Sequence, residues 1–185
     1  DRNFALDEYE KQQYYYVAEA NDLITKARHD LTARELKIMD FIISKIKPDD
    51  DEFITVKTSM YELTNVLNLK RSGTTYSDLA KNLDSLGTKR VVIYNDVERS
   101  ITQTSWVMQS KYWENGRVEL LLSKDLSPYL LGLKNNYTQY LLLDTVKLRS
   151  KYSILLYKLM RECDKDGSNS IAILQGTPDE FKERS

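Results

Sequence analysis

The chain has 185 residues, 41% hydrophobic and 30% charged, with a formal net charge of −1. That composition is globular and long enough for one domain plus pieces. It contains no apolar run near membrane-spanning length and no signal-peptide pattern, and its single cysteine excludes an internal disulfide and fits a reducing cytoplasm.

Charge is distributed unevenly. Residues 1–67 carry 9 basic and 14 acidic groups, residues 68–124 carry 9 and 6, and residues 125–185 carry 9 and 8. A modestly positive middle between an acidic start and a near-neutral end predicts a weak, salt-sensitive field toward nucleic acid.

The chain begins on Asp1, and residues 1–16 read as a polar, acidic tail, with a short strand over 14–17 where three tyrosines run into Val17. Thr32 followed by Glu35 is a capping box; Leu36, Met39, Ile43 and Ile46 then recur at helical spacing until Pro48. After the acidic loop 49–52, residues 53–56 read as a strand. Ser59 and Glu62 form a second capping box, with Leu63, Val66 and Leu67 as the apolar face. A turn over 69–73 leads to a third helix, capped by Thr74 or Thr75, with Tyr76, Leu79, Leu83 and Leu86 on one stripe and Gly87 where a left-handed C-terminal residue belongs. Residues 90–97 and 101–112 turn β-branched and aromatic, and Asn115-Gly116 signals a hairpin returning through 118–122. Residues 123–133 form a short helix or turn, with Ser127 as cap and Pro128 first in the helix. A strand follows over 137–143. The helix over 151–163, capped by Ser150, places Tyr152, Leu155, Leu156, Leu159, Met160 and Cys163 on its buried face. This order predicts an α+β fold, a winged helix-turn-helix with a β-hairpin wing and a C-terminal packing helix.

Residues 164–170 are a hinge by composition. Residues 171–185 repeat the pattern of 53–67: a short strand, then the capped start of a helix at Thr177. The expected organisation is therefore a tail over 1–16, a winged helix over 17–163, and over 164–185 a hinge with the opening of a second winged helix.

Several segments resemble the iteron-binding, theta-mode plasmid replication initiators, which are built from two winged helices. The strings SKYSILLYKLM (150–160), FITVKTSMYELTNVLNL (53–69) and the stretch 120–160 carry the resemblance, which spans about 21–163. It implies the first winged helix of such an initiator, the one that dimerises and contacts DNA mostly through phosphates. The implied partners are double-stranded DNA at origin repeats and operator, a second copy of the chain and, in the whole initiator, host replication proteins. No cofactor, metal or membrane is implied, and the location is cytoplasmic. A winged-helix transcription regulator and a protein-interaction module without DNA remain the alternatives.

The candidate DNA-binding residues surround the third helix. Lys70, Arg71 and Ser72 precede it, and Lys89 and Arg90 follow it, as a phosphate clamp or as solvated charge. Thr74 and Thr75 offer hydroxyls at its start, while Lys81 and Asn82 are its side chains suited to groove contact. Asp78 and Asp84 make it a poor base reader, and Tyr76 is expected in the core. Arg99, Lys111 and Arg117 at the hairpin turns read as ordinary β-surface charge. Tyrosine-dependent nicking needs paired histidines on a metal, and the chain has one, His29, expected at the surface. No phosphate-binding glycine loop or metal-ligand cluster is visible, so no enzyme is expected.

Overall fold

The computed structural model describes residues 7–164 apart from Pro48 and Ile54. Residues 7–16 are structured rather than a tail. Asp7 and Glu10 close a reciprocal capping box that starts α1 (Glu8–Gln13), and Gln12 and Gln13 are buried. The strand β1 (Tyr16–Ala20) begins two residues later than expected and runs into α2 (Asn21–Thr25) and the two-residue β2 (Ala27–Arg28).

The Thr32–Glu35 box does start α3 (Ala33–Ser44), through Glu35 N–H to Thr32 Oγ1 at 3.2 Å and Thr32 N–H to Glu35 Oε1 at 2.9 Å. Leu36, Met39, Ile43 and Ile46 are all buried, as their spacing requires. The next strand, β3 (Val56–Ser59), lies three residues later than expected. Ser59 both ends this strand and caps α4 (Met60–Val66), accepting from Glu62 N–H at 3.0 Å. The reciprocal half of that box is not made: the Glu62 carboxylate turns to Lys45 at 2.7 Å.

Helix α5 (Gly73–Thr88) is capped by Ser72, not by Thr74 or Thr75; Ser72 Oγ accepts from Thr75 N–H at 3.1 Å. Gly87 is not a left-handed terminator either. The helix continues to Thr88, and a Cβ at Gly87 would meet the Val107 carbonyl oxygen at 3.8 Å. Leu79, Leu83 and Leu86 face the core as predicted, but Tyr76 is exposed.

Two hairpins follow. β4 (Arg90–Asn95) and β5 (Ser100–Ser105) pair with each other, and β4 also pairs with β2. The run expected over 101–112 is broken at buried Trp106, whose N–H donates to Leu86 and whose carbonyl accepts from Ser123. β6 (Val107–Tyr112) and β7 (Arg117–Leu122) form the second hairpin around Asn115-Gly116, with Gly116 at φ +89°. β7 pairs with β3, giving a three-stranded sheet β3–β7–β6. The winged helix proper is therefore α3, β3, α4, α5 and the β6–β7 wing. The β4–β5 hairpin is an insertion belonging to another sheet.

A single 3₁₀ turn over Lys124–Leu126 precedes α6 (Ser127–Leu130), in which Ser127 is the first helical residue and Pro128 the second. β8 (Tyr137–Leu141) pairs antiparallel with β1, and the residues expected to prolong it start α7 (Leu142–Val146) instead.

α8 (Lys151–Cys163) begins at Ser150 as predicted, but its buried face is rotated: Ile154, Leu155, Lys158 and Leu159 point inward, while Tyr152 is exposed. Leu156, Met160 and Cys163 are half-buried. The cause is electrostatic. Lys158 Nζ reaches Asp40 of α3 at 2.9 Å and Glu19 of β1 at 3.5 Å. Tyr140 Oη lies 2.7 Å from Glu19 and 3.1 Å from Asp40, and Thr145 Oγ1 donates to Asp40 at 2.8 Å. Burial alone would lower the Lys158 pKa, but the two carboxylates outweigh it and raise it, so the ammonium persists. The hinge and second-domain start expected over 164–185 lie outside the described residues, apart from Asp164.

Candidate nucleic-acid interface

Helices α4 and α5 form the helix-turn-helix, with Lys70, Arg71 and Ser72 in the turn. Asn68 takes a left-handed φ of 55° to end α4, and Gln13 of α1 fixes this corner by donating to Val66 O at 2.8 Å and Asn68 Oδ1 at 2.9 Å. Arg71 is held by Tyr61 of α4: Nη2 donates to Tyr61 Oη at 2.6 Å, and the guanidinium lies 4.3 Å from the ring centroid. Tyr9 of α1 packs edge-on against Tyr61 at 5.8 Å.

With Leu79, Leu83 and Leu86 inward, α5 turns Thr74, Ser77, Lys81, Asp84 and Thr88 outward. This stripe is mainly hydroxylic, with one cation. Asp78 is drawn aside by Arg34 of α3, 3.7 Å away. Asn82 is half-buried and its Oδ1 is buried without a partner among the described residues, so it is not a free reader of base edges. Thr75 is half-buried beside its cap, while Thr74 is exposed.

The expected clamp divides in two. Lys70 and Arg71 are exposed at one end of α5 and Arg90 at the other, roughly 24 Å away for a helix of 16 residues. Lys89 is differently committed: Nζ donates to Glu35 Oε1 at 2.8 Å and to Asp30 O at 3.2 Å. Burial pushes the Glu35 carboxyl up, but the Lys89 ammonium and the Thr32 N–H outweigh it and hold it below its ordinary value. Lys89 thus ties α5 to the start of α3.

The wing tip adds cations that the sequence pattern assigns to ordinary surface charge. Arg117 lies over the Trp113 ring with Cζ 3.8 Å from the centroid, and Lys111 Nζ lies 5.1 Å from it. The signal was present in the spacing: Lys111 and Trp113 are two apart and share a strand face, and Arg117 sits across the turn from Trp113. Arg99 is at the other hairpin, with φ 58°, in the inserted sheet. His29 is half-buried rather than fully at the surface: it packs edge-on against Trp106 at 5.4 Å beside a cavity of about 30 Å³ that Asp40 and Lys158 also line. Burial, followed by the Lys158 and Lys151 charges, lowers its pKa to about 4.

The model of the family described as "Initiator Replication protein, WH1" matches residues 16–161, from β1 into α8. The chain belongs to that family. The initiator is also similar in fold to a solved structure described as Pi initiator protein in complex with iteron DNA. The two share 16% identity at a TM-score of 0.65, over 94% of this chain and 88% of that one.

Proposed function

We propose that this initiator acts at plasmid origins as a DNA-binding and self-associating winged-helix unit, holding the duplex mainly through its phosphates. The observation that carries this reading is the α4–α5 corner. Exposed Lys70 and an Arg71 fixed on Tyr61 open a helix whose outward stripe is hydroxylic rather than base-reading. Such a surface suits backbone positioning, which gives affinity without much sequence information. That the similar Pi initiator is bound to iteron DNA supports the same class of ligand here. The reading is of a non-enzymatic protein of the cytoplasm, and no described helix is long and apolar enough to cross a membrane.

The test is duplex binding across a salt series. Reversing Lys70 and Arg71 to Glu is expected to weaken binding at least tenfold and to flatten the salt slope by about two, one unit for each phosphate no longer neutralised. Lys89→Gln is expected to cost folding stability instead, because its partner is Glu35. Unchanged affinity and slope in the Lys70/Arg71 variant would place the interface elsewhere.

A further inference from the structure

Helix α1 docks on α4 through three side chains. Gln13 closes the end of α4. Gln12 is buried, and its Nε2 donates to Glu62 Oε1 at 3.2 Å, the oxygen that Lys45 Nζ reaches at 2.7 Å. Tyr9 is half-buried and meets the Tyr61 ring edge-on, with centroids 5.8 Å apart and planes at 67°. Tyr61 is 41% exposed and carries Arg71 on both its ring and its hydroxyl. Among the described residues Arg71 pairs with no carboxylate. The order of contact is therefore α1 to Tyr61 to Arg71. The helix itself is acidic: Asp7, Glu8 and Glu10 stand against Lys11. Its own field repels a polyanion, so any help it gives to duplex binding has to come through geometry.

We propose that Tyr9 is a positioning residue for duplex binding: it props the Tyr61 ring, and the propped ring fixes the Arg71 guanidinium in the orientation that a phosphate takes up. The proposal rests on the DNA-binding reading above and names what sets the strength of that contact. An arginine on an open surface samples many rotamers and loses that freedom when it binds. Held on a ring, it keeps its planar fork in one direction. The guanidinium has five N–H donors and the Tyr61 hydroxyl takes one, which leaves the others for phosphate oxygens. Tyr61 can hold Arg71 in this way only if its own ring is held. At 41% exposure the ring is free to turn about its side-chain bonds unless something packs against it, and the edge of Tyr9 does so. Gln12 and Gln13 anchor α1 to α4 and so keep Tyr9 at that edge.

The experiment measures anisotropy of a labelled random duplex with the full chain between about 50 and 200 mM salt, and nitrogen relaxation of the Arg71 Nε–H without DNA. Arg71→Gln is expected to weaken binding and to lower the salt slope by about one. Tyr9→Ala removes no cation, so it is expected to weaken binding about threefold to tenfold at an unchanged slope, with a more mobile Arg71 Nε–H. Tyr9→Phe keeps the ring edge and is expected to bind and relax as wild type does. In the Arg71→Gln background, Tyr9→Ala is expected to change binding by less than about twofold, because no guanidinium is left to position. A purely structural role would weaken both backgrounds alike, and that result would overturn the proposal. If Tyr9→Ala does not fold, Tyr9→Leu, which keeps apolar volume without a ring, takes its place in the same cycle. Wild-type affinity in the Tyr9 variant, alongside a weakened Arg71→Gln, would overturn the positioning role and leave the duplex reading standing. Wild-type affinity and slope in Arg71→Gln would take Arg71 out of the contact and the proposal with it. No duplex binding by wild type at low salt would remove both readings.

Discussion

His29 and Lys158 line the same cavity, and each makes a pH- or charge-dependent contribution to stability. The His29 pKa is about 4 in the folded chain, against about 6.5 when exposed, because burial and the neighbouring lysine charges disfavour the imidazolium. A group depressed in the folded state contributes stability that is fully present above its unfolded value and is lost as pH falls toward the folded one. The stability gap between wild type and His29→Gln is therefore expected to narrow by roughly 3 kcal/mol between pH 7 and pH 4, measured by urea denaturation. A constant gap would mean that the imidazole is accessible to protons in the folded chain. Lys158 is the opposite case, a charge kept on because Asp40 and Glu19 surround it. Lys158→Met leaves two buried carboxylates without their cation and is expected to cost about 3–5 kcal/mol. Adding Glu19→Gln should recover part of that, since burial already pushes the Glu19 carboxyl up and the amide removes one orphaned charge.

At the scale of elements, α1 is part of the helix-turn-helix. Gln13 supplies the hydrogen bonds that end α4, so Gln13→Ala is expected to cost about 1–2 kcal/mol and to speed amide exchange over residues 66–72. Unchanged exchange there would show that α1 merely rests on α4. No periodicity rule finds such a helix: it has six residues and docks through two amides rather than an apolar stripe. The rotation of α8 is hidden for a related reason. Counting apolar residues selects Tyr152 and Met160 for the buried face, whereas the inward position is taken by a lysine whose carboxylate partners lie more than a hundred residues away in sequence. Where local chemistry decides the element, the sequence was readable: the Thr32–Glu35 box, the Ser150 cap and the Asn115-Gly116 hairpin all stand where their residues place them. At the candidate site the position of the basic turn was legible, but not the partners that sort its cations. Those partners, Tyr61 for Arg71 and Glu35 for Lys89, come from other elements.

At the scale of the whole molecule, the inserted hairpin leaves an open side. β4 is flanked by β2 and β5, so β5 is the edge of its sheet, and its outer side pairs with nothing among the described residues. Exposed Tyr94, Val97 and Ile101 cluster at that end, with Val97 94% exposed. An unpaired edge with apolar neighbours is a template for pairing with another strand, and the simplest partner is the same edge of a second copy, which closes as a twofold dimer. This surface belongs to a different sheet from the wing and does not include α5, so self-association would leave the α5 face open to the duplex. The expected mass in solution is twice the 21.6 kDa of one chain, with Ile101→Lys shifting it to the single-chain value by setting a charge on the edge. Light scattering over a concentration series is the measurement. A single-chain mass for wild type at every concentration would dismiss the dimer, and a dimer that persists in Ile101→Lys would move the interface away from β5. Because an isologous dimer presents two winged helices to one duplex, the Ile101→Lys variant is also expected to bind DNA more weakly at low protein concentration, with the same salt slope per chain.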